Sequence, residues 1–344
     1  MRVLLIKMSS LGDVIHALPA VTDAHARGFR FDWVVEEAFA AIPARHPGVD
    51  EVLPIAWRRW RKNLVASRSE LNNFVKKLRS KRYDLILDAQ GLLKSAAVLA
   101  LGRGTVKAGF SRSTAREGTA SAFYQRRIAV ARGRHAIDRQ RQLFAEALGY
   151  ELNETDKLDY GIVADVPLTN TCVLLHGTTW SSKQWPELMW MKLAQIASDA
   201  GYRVALPWGD ESERATAERI AKGSGAEVWD RVPLSDLAVR LEKAGLAIGV
   251  DSGLAHLCAA LNVPTLVMYG STDGELTGCR GSKVVIARAN FPCAPCLKRN
   301  CSYQGGPEYW RDQIITPACY STLTPEGIWQ LAKGMFDADR VLPV

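Results

Sequence analysis

Four short stretches hold side chains that could grip and move a charged, sugar-like substrate. In KMSSLGDVIHALPA, Asp13 stands at the start of a helical pattern that follows an apolar run. A carboxylate there suits a general base that takes a proton from an attacking hydroxyl; the helix N-terminus keeps it ionised while weakening its basicity. Capping of that helix is the alternative, a role Asp fills routinely. In HGTTWSSKQWPE, His176 to Glu187, hydroxyls at Thr178, Thr179 and Ser182, the charge of Lys183 and the start of a helix make an anion site suited to a pyrophosphate. A solvated loop lysine is the alternative. In GVDSGLAHLCAAL, Asp251 could accept from sugar hydroxyls, Gly253 lets a ligand approach the backbone, and His256 lies on the first helical turn. Equally, Asp251 and Ser252 could cap that helix and His256 could be a core histidine. YGSTD, Tyr269 to Asp273, is another polar turn on the same rim. In LPWGDESERA, Trp208 could flank a base and Glu213 could hold ribose hydroxyls, although a lone tryptophan is more often packing.

Cations collect elsewhere. WRRWRK, Trp57 to Lys62, interleaves aromatics with Arg58, Arg59, Arg61 and Lys62, and SRSTARE adds Arg112 and Arg116. Arginine is suited to bidentate recognition of phosphate and carboxylate. There are 27 Lys and Arg against 18 Asp and Glu up to Asp165, and 17 against 18 beyond it. A one-sided basic surface suits a polyanionic partner such as nucleic acid, an anionic membrane face or a phosphorylated glycolipid, or it serves solubility alone. No RNA- or DNA-reading module is present, so nucleic acid is not expected. DAQGLLKSA places Gln90 and Lys94 in a further polar turn.

Two cysteines, Cys172 and Cys258, lie in apolar runs and read as core residues. Cys293, Cys296, Cys301 and Cys319 are spaced C-x2-C-x4-C-x17-C. Four thiolates could close a structural zinc site, or stand as reduced thiols in an exposed loop. Seven cysteines so unevenly placed do not make a secreted disulfide framework.

The elements that must position these residues follow a βαβα grammar. Apolar runs at Val3 to Ile6, Phe31 to Glu37, Leu85 to Gly91 and Val106 to Phe110 alternate with amphipathic stretches such as Val14 to His25 and Glu70 to Lys81. The pattern restarts at Cys172 to Gly177, with a helix over Trp185 to Gly201, then Arg203 to Gly209, a helix from about Glu211, Leu246 to Val250 and Pro264 to Gly270. This predicts an α/β chain of two Rossmann-like domains, 1–165 and 166–344, the latter with a cysteine-rich loop over about 291–320 and a terminal helix. Ligand is expected at the carboxyl ends of both sheets, in the cleft where the halves face each other. The first strand-to-helix turn has one glycine, Gly12, and so lacks the GxGxxG fingerprint, which weighs against the rival class, an NAD- or FAD-binding oxidoreductase. No apolar run approaches a membrane span and no cleavage pattern opens the chain, so a cytoplasmic protein is expected, as a monomer.

Together, SSLGDVIHALPAVTDA, FDWVVEE, RRWRK, DAQGLLKSA, TARE, HGTTWSSKQWP, LPWG and DSGLAHL cover nearly the whole chain in order and resemble the lipopolysaccharide heptosyltransferases, glycosyltransferase family 9. The resemblance is nearest to the branch that adds the first heptose. It implies a GT-B architecture and inverting transfer of a heptose from ADP-L-glycero-β-D-manno-heptose to Kdo2-lipid A, peripherally on the inner face of the inner membrane. By the same resemblance Asp13 is the catalytic base. Thr178, Thr179, Lys183, Trp208, Glu213, Asp251, Gly253, Leu254 and His256 bind the donor, and Ser10, Gly12, Arg58, Arg59, Arg61, Lys62, Gln90 and Arg116 the acceptor. The cysteine-rich insertion is more like the branch that adds the second heptose, which stays open as an alternative. ADP leaves as a stable anion that Lys183 and a helix N-terminus can stabilise, so no metal or other cofactor is expected.

Overall fold

The computed structural model describes residues 1–152 and 157–337, and the chain divides into two compact units, Met1–Ile162 and Val163–Val344. In the first, β1 (Arg2–Ile6), β2 (Arg30–Glu36), β3 (Val49–Ile55), β4 (Tyr83–Asp88), β5 (Gly104–Phe110) and β6 (Arg126–Ile128) form one parallel sheet in the order β3-β2-β1-β4-β5-β6. Val3 to Ile6 expose no surface, as a strand covered by helices on both faces requires. The edge strands β3 and β6 carry charges, and β3 a proline at Pro54, so neither has the apolar run that reveals a buried strand. Where the pattern predicts one helix over Val14 to His25, the chain makes two, Leu11–Ile15 and Leu18–His25. Pro19, in the first turn of the second, has no N–H with which to continue the ladder of the first.

The second unit repeats the plan. Here β7 (Thr169–Leu175), β8 (Arg203–Leu206), β9 (Glu227–Val228), β10 (Ala244–Val250), β11 (Thr265–Tyr269) and β12 (Val284–Arg288) are parallel in the order β12-β11-β10-β7-β8-β9. Cys172 and Cys258 are fully buried in its core. The helix Glu187–Asp199 packs the edge-to-face pair Trp185 and Trp190 into that core. After β12 comes the cysteine-rich segment, holding a two-stranded pair, Tyr309–Trp310 with Gln313–Ile314, and then the helix Pro325–Asp337. Among the described residues no helix is long and apolar enough to cross a membrane. In each sheet the strand order reverses beside a central strand, between β1 and β4 and between β7 and β10. In such sheets ligands bind in the crevice at the carboxyl ends of those strands.

The first unit also buries a histidine that resists protonation. His46 is 2% exposed; its Nδ1 accepts the N–H of Gly48 at 2.9 Å, and its Nε2 lies 2.9 Å from Thr22 Oγ1, a hydroxyl that itself donates to the Leu18 carbonyl. A proton on Nδ1 would face the Gly48 N–H. Burial, with His25 nearby, pulls the His46 pKa from 6.5 down to about 4. The unfolded chain therefore takes up the proton first, so the stabilisation is complete above pH 6.5 and is lost as the pH falls toward 4. Its full size is roughly 3 kcal/mol. Denaturant unfolding across that window should show the wild type losing stability with acid more steeply than His46→Gln; parallel curves would remove the assignment.

Candidate functional site

At the switch point of the first unit, the chain leaves β1 through Lys7 to Ser10 and enters the helix Leu11–Ile15 with Asp13 in its first turn. Asp13 is not the N-cap. Ser10 holds that position, and its N–H and hydroxyl donate to Asp13 Oδ2 at 2.9 and 3.1 Å, half of a capping box. The carboxylate lies 3.8 Å from Lys7 Nζ and 3.4 Å from Arg116 Nη1, with 24% of its side chain exposed. Burial by itself would push the carboxyl up; Lys7, Arg116 and the Ser10 N–H hold it well below the usual carboxylate range. Lys7 is 4% exposed, donates to the Ala89 carbonyl at 3.0 Å, and has its own pKa lowered by burial.

Gln90, at the end of β4, is 5% exposed. Its Oε1 accepts the N–H groups of Met8 and Ser9 at 2.7 and 3.1 Å, and its Nε2 donates to the Ser9 carbonyl. The amide is thus spent on fixing the turn that carries Asp13, which makes Gln90 a bracket for that turn. Asp88, fully buried, ties the same region by accepting from Tyr124 Oη at 2.6 Å, Ser95 Oγ at 2.8 Å and the Gln90 N–H at 2.8 Å. Gly12 is buried. Of the four clustered cations, Arg58, Arg61 and Lys62 are exposed, whereas Arg59 is engaged by Glu37 and Glu70, with its shortest contact 2.7 Å to Glu70. The sequence marks the cations but not which of them local carboxylates have claimed.

In the second unit, the loops after β7 and β10 meet at the switch point. Lys183 Nζ donates to Asp251 Oδ2 at 2.6 Å, and Thr272 Oγ1 donates to the same oxygen at 2.7 Å. Asp251 Oδ1 lies 3.5 Å from His256 Nε2. Asp251 is 7% exposed; burial would raise its pKa, but His256 and Lys183 keep it well below the ordinary range. The helix Gly253–Ala260 is capped by Ser252, whose Oγ accepts the Ala255 N–H, so the Asp251 carboxylate is not the cap. Gly253 and Leu254 open that helix, where backbone N–H groups lack intrahelical partners. Thr178 Oγ1 reaches the Asp251 carbonyl at 3.4 Å, and Thr179 is exposed beside it. The Trp180 ring lies 4.6 Å from Lys183 Nζ.

After β8, Glu213 Oε2 accepts the Gly209 N–H at 2.7 Å. Its carboxylate fills the space over Gly177, where an added Cβ would come within 2.5 Å of Glu213 Oε1. Glycine at 177 is what lets the ends of β7 and β8 share that carboxylate. Trp208 donates from Nε1 to the Trp229 carbonyl at 2.7 Å, with Arg214 5.4 Å from its ring.

Cys293, Cys296, Cys301 and Cys319 line one cavity of about 210 Å³ together with Ser182, Ser271 and Lys298. Among the described residues, however, no three His, Cys, Asp or Glu side chains form a group that could hold a metal ion. The segment instead buttresses the Lys183 loop. Ser182 Oγ donates to the Lys298 carbonyl at 2.6 Å, the Ser182 N–H to the Arg299 carbonyl at 3.1 Å, and Tyr320 Oη to the Lys183 carbonyl at 2.9 Å. Nothing in the cysteine spacing signals that role.

Residues 71–306 match the family model described as glycosyltransferase family 9 (heptosyltransferase). The chain is 47% identical to the lipopolysaccharide heptosyltransferase 1 of Pseudomonas aeruginosa, over 99% of this chain and 100% of that protein. It is 44% identical to that of Escherichia coli K12, over 84% of this chain and 94% of the other. Among solved structures, E. coli heptosyltransferase WaaC with ADP superposes with a TM-score of 0.84 and 39% identity, over 97% of this chain and 100% of that one. The fold is accordingly GT-B, an α/β architecture of two parallel six-stranded sheets.

Proposed function

The chain belongs to glycosyltransferase family 9, the heptosyltransferases, and from that premise we propose that it transfers L-glycero-D-manno-heptose, with inversion, from ADP-heptose to the Kdo of Kdo2-lipid A in lipopolysaccharide inner-core assembly. The observation that carries the reading is the full-length likeness to the P. aeruginosa lipopolysaccharide heptosyltransferase 1. Family membership displaces the oxidoreductase alternative.

The second unit is the donor side. Lys183 has three ammonium donors, of which Asp251 takes one, leaving two for phosphate oxygens. The N–H groups of Gly253 and Leu254 and the hydroxyls of Thr178 and Thr179 add neutral donors to the same anion. Charge growing on the departing ADP then meets fixed dipoles and a cation, so no step needs a Lewis acid. We assign Glu213 to the ribose hydroxyls and Trp208 to the base; His256, 6% exposed with its ring nitrogens facing Asp251 and Cys279, serves the donor through Asp251 and not by touching the sugar.

The first unit is the acceptor side. Arg116, beside Asp13, is suited to the acceptor's carboxylate, and Arg58, Arg61 and Lys62 to its phosphates. Leu64 and Val65, 60% and 86% exposed, follow these cations, a pairing of apolar and basic groups that supports peripheral contact with the anionic inner face of the inner membrane. Asp13 accepts the proton of the attacking hydroxyl. A carboxylate held by Lys7 and Arg116 is a weak base, which is sufficient here: the hydroxyl becomes strongly acidic as its oxygen bonds to the electron-poor anomeric carbon, and the proton moves late.

The test is a transfer assay with ADP-heptose, offering Kdo2-lipid A and its mono-heptosylated product in competition, with and without excess chelator. Expected is transfer to Kdo2-lipid A at an undiminished rate in chelator. Preference for the mono-heptosylated acceptor would mark the enzyme as adding the second heptose, and loss of activity restored by a divalent ion would overturn the metal-free mechanism.

A further inference from the structure

We propose that Cys279 is a positioning residue for transfer, its sulfur fixing the His256 ring so that Nε2 presents a proton to the Asp251 carboxylate that grips Lys183. Cys279 follows the short helix Gly274–Thr277, well outside the turns that carry the donor-site residues, and is 1% exposed. Its Sγ lies 3.3 Å from His256 Nδ1. Its N–H donates to Tyr269 Oη at 2.8 Å. The result is a buried chain from Tyr269 through Cys279, His256 and Asp251 to Lys183 and Thr272.

The chain works whichever way the sulfur is protonated. A thiol donates S–H to Nδ1, which leaves the neutral ring's proton on Nε2; a thiolate accepts from Nδ1–H of an imidazolium, which also carries a proton on Nε2. In both states Nε2–H is directed at Asp251 Oδ1, and the carboxylate is held by three donors. Burial would lower the His256 pKa, yet the Cys279 sulfur and Asp251 carry it up to about 10. The other ionisable groups in this neighbourhood are Lys183, Tyr269, Cys258 and Tyr320. Without a polar atom at 279, Nδ1 loses the sulfur that orients the ring, and Nε2–H is no longer held in line with Asp251 Oδ1.

The inference rests on the reading that Lys183 and Asp251 serve the donor, so its test has one readout independent of turnover. Long-range proton–nitrogen NMR of the full-length enzyme with ¹⁵N-histidine, assigned with His256→Gln, reports the ring's protonation directly. Cys279→Ala and Cys279→Val, the latter filling the sulfur's space without a polar atom, are expected to shift the His256 nitrogens and lower kcat/KM for ADP-heptose about tenfold. Cys279→Ser, which keeps a hydrogen-bonding atom, is expected to hold kcat/KM within about threefold of wild type. Unmoved His256 signals in the alanine or valine variant, kcat/KM within twofold of wild type, or a serine variant as slow as alanine would each overturn the proposal. Should alanine and valine not fold, the serine variant decides by the same threefold limit. Lys183→Met separates the two readings: if it is harmful and the cysteine variants are not, only the positioning role fails; if it is harmless, the donor assignment fails.

Discussion

Asp13→Asn lowers kcat by about 10²- to 10⁴-fold, the range expected for removal of a general base, while ADP-heptose binding measured by calorimetry stays within a few fold. Asparagine keeps the oxygen that accepts from the Ser10 N–H, so the turn survives, but it has no place for the substrate proton. The pH profile sharpens the expectation. The active form is the carboxylate, and Lys7 and Arg116 hold its pKa well below the ordinary range. Protonation of Asp13 therefore begins to slow transfer only below the usual carboxylate range, and kcat/KM shows no acid limb from this group between pH 5 and 8. An Asp13→Asn enzyme with near-normal turnover would remove the base assignment, and an acid limb near pH 6 that Arg116→Gln leaves in place would remove the electrostatic account of it.

Lys183→Met lowers kcat/KM for ADP-heptose by about 10²- to 10³-fold, the scale observed when one donor to a growing oxyanion is removed. Single-turnover kinetics is the measurement. The substitution also strands the Asp251 carboxylate, 7% exposed and still held by Thr272 and His256. Breaking a buried pair by removing one partner costs about 3–5 kcal/mol, so a lowered Tm is expected together with the kinetic loss. Because Asp251 has a depressed pKa, the stability it contributes is present above the ordinary carboxylate pKa and is lost on acidification. The Tm difference between Lys183→Met and wild type should accordingly shrink toward low pH. A variant that binds donor and turns over normally would move the phosphate site elsewhere.

The sequence by itself determined the elements whose pattern is local. The apolar runs that became β1, β4, β7, β10 and β11 are unbroken because helices cover both faces of a parallel sheet, and the turns that follow β1, β7 and β10 already carry the hydroxyl, carboxylate and lysine side chains of the two sites. What failed locally failed for a stated reason: β3 and β6 lie at a sheet edge with charges and a proline in place of an apolar run, and Pro19 splits a helix that hydrophobic periodicity continues.

Only the tertiary structure decided partnership. Asp13 acquires Arg116 across 103 positions of sequence, Lys183 acquires Asp251 across 68, and Gln90 reaches back 81 and 82 to fix Ser9 and Met8. The same holds for the engagement of Arg59 by Glu37 and Glu70 and for Cys279 against His256. Residue type records what a side chain can do, and turn chemistry records where it leaves a strand. Which two strand ends lie side by side depends on the order of the parallel sheet, which is set by packing summed over the whole unit, and no stretch of a few residues carries that information.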